Sequence, residues 1–176
     1  SSISLAVFCD GELWVSGVTG EGESVGEQIG RITGTVRDAL SEFGMREVDV
    51  VATRHFMRPG ARFATSPPEW AAFMSKAIPT AAGIAGESIG DAAMFMLECE
   101  AVQDASSGRN NLRSGRSYEG DHNYCRSVRV QGGNVTYVAG TTSLMVGEVV
   151  RSEFDVTGQI ADTLETVRWS IEQQGM

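Results

Sequence analysis

Cysteine, positive charge and long apolar runs are all scarce in this sequence, and each shortage excludes a class of protein. Only three cysteines occur in 176 residues, and no two of them form a Cys-x-x-Cys pair. An odd and dispersed set of this size predicts neither a disulfide framework nor a zinc site. We therefore expect a reducing, cytoplasmic setting, no metal and no cofactor.

The shortage of positive charge bears on the partners. The sequence has 14 lysines and arginines against 23 aspartates and glutamates, which gives a net charge of −9. Nucleic acid and anionic membranes both require a basic face, so neither is an expected partner. No apolar run approaches the roughly 18 residues that a membrane span needs. The sequence does contain enough apolar material, 41% of its residues, for one large globular domain or two small ones.

The first hundred residues alternate between strand and helix patterns. Asp10-Gly11 between two apolar runs predicts a hairpin of 3–9 and 12–16, because a type I′ turn needs positive φ at both central residues. Apolar residues at helical spacing predict a helix over about 25–43. The remaining predicted elements are a strand at 48–57, a helix that starts at Ser66-Pro67-Pro68 and runs to about Ile78, and strands at 80–88 and 91–102.

The pattern starts again after residues 104–117, which have the Gly, Ser and Asn composition of a linker. Gly132-Gly133 predicts a second hairpin, formed by 124–130 and 134–139. A second long helix is predicted over about 156–174, with one apolar face formed by Ile160, Leu164, Val167 and Ile171.

The two segments align with each other, which predicts a tandem repeat. The matching pairs keep their order: Trp14-Val15-Ser16-Gly17 with Tyr137-Val138-Ala139-Gly140, Gln28-Ile29 with Gln159-Ile160, and Gly44-Met45 with Gly175-Met176. We predict a complete unit at 1–103, a linker at 104–117 and an incomplete unit at 118–176. The counterpart of 48–102 is missing from the second unit, and we expect another segment or chain to complete it, because a hairpin and one helix leave an apolar sheet face uncovered.

The ordered motifs resemble the Rid (YjgF/UK114-like) superfamily. Tyr124 to Val130 and Val138 to Thr142 are similar to the Rid hairpin, and Glu98-Cys99-Glu100-Ala101-Val102 is similar to its last strand. The resemblance implies an α+β fold in which two helices pack on one face of a mixed sheet. It also implies a homo-oligomer, a trimer or a pseudo-trimer, with ligand clefts between units. The implied activity is the hydrolysis of imines or enamines derived from amino acids.

The resemblance also implies site residues. Glu98 is the expected catalytic carboxylate, and the expected substrate-binding residues are Tyr124, Arg126, Gly140 and Thr141. A guanidinium is the natural clamp for a carboxylated substrate, and a carboxylate in a closed cleft can handle the proton of water. The family arginine follows Pro-Ala, whereas here Pro79 is followed by Thr80 and Ala81, so the first unit lacks that clamp. His55, on a predicted buried strand, is interpreted as structural.

A second resemblance leaves the activity open. Chorismatases, enzymes of secondary metabolism, carry two Rid-like halves in one chain. Their motifs are similar to residues 79–86 (Pro-Thr-Ala-Ala-Gly-Ile-Ala-Gly) and 155–159 (Asp-Val-Thr-Gly-Gln) of this sequence. The alternatives are therefore a chorismatase-like enzyme that releases pyruvate, and a non-catalytic ligand-binding member of the superfamily.

Overall fold

The computed structural model describes residues 5–59, 67–86, 93–144 and 149–176. The first part of the chain forms a five-stranded sheet with strand order β1-β2-β5-β3-β4. The strands are β1 (Ala6–Cys9), β2 (Glu12–Thr19), β3 (Val50–Met57), β4 (Thr80–Ala85) and β5 (Phe95–Val102). β3 and β4 run parallel, and the other pairs are antiparallel. This is the predicted mixed sheet.

The β1–β2 hairpin forms at the predicted turn. Asp10 and Gly11 have φ values of 50° and 81°, the left-handed pair that a type I′ turn requires. β2 continues to Thr19 because a register shift between Val15 and Val18, with Gly17 at positive φ, bends the strand and lets it pair further with β5. The sequence alone placed the end of this strand three residues too early.

Two helices cover one face of this sheet. They are α1 (Val25–Glu42) and α2 (Pro68–Ala77). α1 begins with a capping box, in which Glu27 N–H donates to Ser24 Oγ at 3.2 Å and Ser24 N–H donates to Glu27 Oε2 at 3.1 Å. α2 is capped at Pro67 with Pro68 in its first turn, and the predicted cap, Ser66, lies outside the described residues. One apolar core joins the two helices to β2 and β5.

The second part of the chain forms a smaller sheet. Its order is β6-β7-β8, with strands β6 (Arg109–Leu112), β7 (Ser127–Val130) and β8 (Thr136–Val138). A short helix α3 (Ser117–Asp121) precedes β7, and α4 (Val156–Gln173) follows β8. α4 agrees with its predicted bounds, and β7 and β8 form the predicted hairpin.

Residues 104–117 are more ordered than their composition predicted. They contain a 3-10 turn at Ala105–Ser107 and strand β6, which pairs with β7. The Arg109 guanidinium fixes this stretch to the first part of the chain by donating to the carbonyls of Val48, Val50 and Ile78 at 2.9–3.1 Å. Residues 109–112 of the predicted linker therefore form a strand, while the division of the chain into two units joined by a linker stays a prediction.

The outer edge of β4 joins the two parts. Cys125 N–H donates to Pro79 O at 2.9 Å, and Gly140 N–H donates to Ala81 O at 3.0 Å. These bonds cover a sheet edge that would otherwise expose unpaired backbone groups. They also bring the start of β7 and the end of β8 next to β4 on the helix-covered side, where a cleft forms.

Candidate functional site

A cleft of about 490 Å³ lies where the helix-covered face of the first sheet meets the second part of the chain. β3 and β4 form its floor, α2 one wall, and the segment from α3 to β7 the other. The lining is mostly aromatic, sulfur-containing or small: His55, Met57, Trp70, Met74, Ala81, Gly83, Ala85, Tyr118, His122, Tyr124 and Gly140. Clefts of this size and lining are typical of small-molecule sites.

The floor of the cleft follows from the strand register. Thr53 lies opposite Ala81, His55 opposite Gly83 and Met57 opposite Ala85. Alternate residues of a strand share one face, so His55 and Met57 of β3 point the same way as Ala81, Gly83 and Ala85 of β4. The small residues of β4 leave open space above the sheet. The larger side chains of β3 border that space on one side.

The opposite wall is built from two tyrosines and a histidine. Tyr118 and His122 stand four residues apart on and just after α3, which places them on one side of that turn. The rings of Tyr118 and Tyr124 lie 6.2 Å apart at an interplanar angle of 26°. Burial raises the pKa of Tyr124 to about 12, so its hydroxyl stays protonated at neutral pH and can donate a hydrogen bond.

A buried ion pair supports this wall from behind. Arg126 is 1% exposed, and its Nε and Nη2 donate to Glu119 Oε1 at 3.0 and 2.9 Å. Its Nη1 donates to Gly140 O and Thr141 Oγ1, each at 3.1 Å, and Nη2 also reaches Tyr118 OH at 3.4 Å. The guanidinium lies 5.9 Å from the centre of the Tyr124 ring. Glu119 is fixed in turn by Ser114 N–H and Oγ, at 2.8 and 2.5 Å.

The structure brings four of the five predicted site residues together, in two roles. Tyr124 and Gly140 line the cleft. Arg126 and Thr141 lie behind it, and the hydrogen bonds of Arg126 are made inside the protein. Arg126 therefore positions Glu119, Gly140 and Tyr118. The described lining of the cleft contains no guanidinium that could bind a carboxylate.

The fifth residue, Glu98, lies on the other face of the sheet. Its neighbours Leu97 and Cys99 point into the core under the helices, so Glu98 points away from the cleft. Its carboxylate stands 3.9 Å from Arg54 Nη1, and Glu100 makes the closer pair with Arg54 at 2.6 Å. Within this chain Glu98 and Tyr124 do not meet.

Nine residues of the cleft lining were not predicted as site residues, and four of them carry aromatic or imidazole rings: His55, Trp70, Tyr118 and His122. For Tyr118 and His122 a signal existed, because aromatic and histidine residues cluster within a stretch that is otherwise rich in Gly, Ser and Asn. His55 and Trp70 come from β3 and α2, and only the packing of α2 over β3 brings them together, with ring centroids 5.4 Å apart.

No protein-family profile and no curated protein matches this sequence. Solved structures do match the fold. RidA from the Antarctic bacterium Psychrobacter sp. superposes with a TM-score of 0.53 at 17% identity, over 58% of this chain and 89% of that one. An L-PSP protein of Entamoeba histolytica (TM-score 0.51, 22% identity) and the YEO7 protein of yeast (TM-score 0.51, 18% identity) each cover 58% of this chain and 88% of their own.

These matches show that the chain has the Rid-like fold that its motifs predicted. Each of these three matches covers 58% of this chain. Among the described residues, no helix is long and apolar enough to cross a bilayer. Within the same ranges, no group of three or more His, Cys, Asp or Glu side chains is arranged to hold a metal ion.

Proposed function

We propose that this protein binds a planar, unsaturated metabolite in the cleft and hydrolyses an imine or enamine there. The observation that carries the proposal is the lining itself, in which aromatic faces and neutral hydrogen-bonding groups surround about 490 Å³ of space. Aromatic walls favour flat ligands, and a few convergent polar groups fix their orientation. The Rid-like fold is consistent with this class of reaction.

The chemistry needs only groups that the cleft contains. Water adds to the carbon of the C=N bond, the C–N bond then breaks, and the products are a carbonyl compound and ammonia. The protonated hydroxyl of Tyr124 can donate to the imine nitrogen, and the imidazole of His122 can accept a proton from the attacking water. Both side chains line the cleft with Gly140, whose backbone is bonded to β4.

The lining also indicates which imines fit. Arg126 is held by Glu119, and the residue two positions after Pro79 is Ala81 rather than an arginine. The substrate carboxylate, which the sequence predicted, therefore meets no guanidinium among the described lining residues. Recognition then depends on apolar contact with Trp70, Met57 and Met74, so imines of bulky apolar amino acids should be better substrates than the three-carbon imine of alanine.

The test uses imines made in situ by an amino-acid oxidase from phenylalanine, leucine and alanine, with semicarbazide as a competing trap. Faster hydrolysis lowers the semicarbazone yield and speeds ammonia release. We expect acceleration for the phenylalanine and leucine imines and little for alanine. Tyr124→Phe should reduce the acceleration by about 10²-fold, the scale of one acid–base group. Tyr137→Phe is the matched control, because Tyr137 packs away from the cleft. No acceleration for any imine contradicts the proposal.

The chorismatase-like alternative has one observation in its favour. Residues 80–85, within the stretch that resembles the chorismatase motif, form β4, and Ala81, Gly83 and Ala85 floor the cleft. Release of pyruvate from chorismate, abolished by a bulky substitution such as Ala81→Leu, would favour this reading. Ligand binding without either product would favour the non-catalytic reading. The tandem organisation, the oligomeric assembly and the cytoplasmic setting stay predictions from the sequence.

A further inference from the structure

His55 is a partly buried polar side chain that borders the cleft. It projects from β3 beneath α2, with its ring stacked on Phe95 (centroids 5.7 Å apart, 12° between planes) and the edge of Trp70 against it at 5.4 Å. These contacts hold the imidazole in one orientation. The ring also borders the cleft, so a polar atom is fixed at the floor of an otherwise aromatic site.

The Nε2 edge of His55 lies over Gly83. A Cβ built on Gly83 would stand 2.6 Å from Nε2, well inside van der Waals contact, so only glycine permits the ring to lie there. Gly83 itself lines the cleft. Nε2 is therefore placed at the floor of the cleft, beside the small residues of β4.

The other ring nitrogen is enclosed. Nδ1 of His55 is buried and has no hydrogen-bond partner among the described residues. Burial is the main reason that the pKa of His55 falls to about 4, with a smaller contribution from His122, so the ring is neutral at pH 7. A neutral imidazole carries one N–H, and an orphaned buried N–H is rarer than an orphaned acceptor. The proton therefore resides on Nε2, where a ligand can reach it.

We propose that His55 determines specificity by donating its Nε2–H to a neutral acceptor, a carbonyl oxygen, on a planar ligand held between Trp70 and Tyr124. This inference rests on the proposed function for the location of the ligand. It adds the chemical class that the cleft selects, which is a flat, largely apolar molecule with an uncharged acceptor near Gly83. His122, Tyr118 and Tyr124 are the other titratable groups that face this space.

Two probes of nearly equal shape test the inference. Acetophenone carries a carbonyl acceptor, and α-methylstyrene has a CH₂ group in its place. We expect the wild-type protein to bind acetophenone at least tenfold more tightly, as measured by ligand titration followed by NMR. His55→Phe keeps a ring without a donor and should abolish the preference, whereas His55→Gln keeps a donor and should retain part of it. In the wild type, the ¹⁵N signals of His55 should show the Nε2–H form and shift with acetophenone only.

The outcomes separate the inference from the proposed function, because imine hydrolysis is measured on the same variants. A preference for acetophenone that His55→Phe abolishes supports the inference even where no imine is hydrolysed, and only the proposed reaction is then lost. Equal binding of the two probes by the wild type overturns the inference. So does a preference that survives in His55→Phe, an Nδ1–H signal, or failure of both probes to bind, whatever the imine assay gives.

Discussion

The two long helices of this protein have the same length and opposite packing. α1 and α4 each span 18 residues, and the repeat predicted from the sequence aligns one with the other. α1 buries Ile29, Ile32, Val36 and Leu40 against the five-stranded sheet and α2. α4 buries Asp162 and Ser170, while Val156, Ile160 and Leu164 are 71%, 56% and 62% exposed.

α4 is held to the rest of the chain mainly by polar contacts, whereas α1 is held by an apolar core. Arg151 Nη1 donates to Asp162 Oδ1 at 3.3 Å, and Arg116 Nη2 donates to Thr166 Oγ1 at 3.4 Å. At the end of the helix, Gln174 Nε2 donates to Ser127 Oγ at 3.0 Å. The spacing of its apolar residues therefore predicts that α4 is a helix and which residues share its apolar face, but it does not predict which face packs inward.

The difference teaches that the two parts of the molecule depend on different forces. Burial of apolar side chains stabilises the first part, and its strength scales with the area removed from water. The second part has only a small apolar cluster around Cys125 and Val128. It depends more on hydrogen bonds and a buried ion pair, which stabilise only while every partner is present. Substitutions in the two parts should therefore fail in different ways.

The largest effect is expected for Arg126→Met. This change leaves the Glu119 carboxylate, itself 1% exposed, without its cation, and a broken buried ion pair costs about 3–5 kcal/mol of unfolding free energy. Urea denaturation of both proteins measures it. Arg54→Met is the matched control, because Arg54 pairs with Glu100 at the surface and should lose about 1 kcal/mol or less. Equal losses in the two variants would contradict the buried role of Arg126.

Ile32→Ala tests the apolar core of the first part. Ile32 is fully buried in α1, and a large-to-small substitution there costs about 2–5 kcal/mol, depending on how far the cavity collapses. Arg31→Ala, one residue away on the exposed side of the same helix, should change stability by about 0.5 kcal/mol or less. Thermal and urea unfolding distinguish the two. A small loss for Ile32→Ala would show that α1 is not packed as described.

The two parts of the molecule also differ in how well local sequence patterns predict their secondary structure. The Asp10-Gly11 turn follows from a residue pair that tolerates positive φ. Both long helices follow from the 3.6-residue periodicity of their apolar residues. β6 does not, because Arg109–Leu112 has the composition of a loop and becomes a strand only through pairing with β7. Local pattern cannot report a partner that lies elsewhere in the chain.

The candidate site divides in the same way. The hairpin motif pointed to Tyr124 and Gly140, which do line the cleft. It also pointed to Arg126 as a clamp for a carboxylate. The guanidinium instead donates hydrogen bonds to Glu119, which lies in α3, seven residues earlier. His55 was interpreted as structural, because nothing in a buried strand pattern shows that α2 leaves open space beside it.

The pH dependence of stability provides a third test. The titration of His55 is expected to change the unfolding free energy by up to about 3 kcal/mol. The folded-state pKa of His55 is about 4 against 6.5 when unfolded, so the unfolded chain binds a proton that the folded chain refuses. Stability from this group is fully present above pH 6.5, falls as the pH drops from 6.5 to 4, and is constant below. The difference in unfolding free energy between wild type and His55→Phe should show this slope. A difference independent of pH between 4 and 7 would mean that His55 titrates normally in the folded protein.

The smallest effect is expected on the exposed face of α4. Leu164 is 62% exposed, so Leu164→Ala removes little buried area, and alanine is the better helix former; the two terms leave a change of about 0.5 kcal/mol or less. Leu40→Ala in α1, on the buried side of the paired helix, should cost several times more. Urea denaturation of the two variants at several protein concentrations checks both values. If Leu164→Ala destabilises as much as Leu40→Ala, or does so only at high concentration, the apolar face of α4 is covered in solution and the contrast between the two helices belongs to the isolated chain alone.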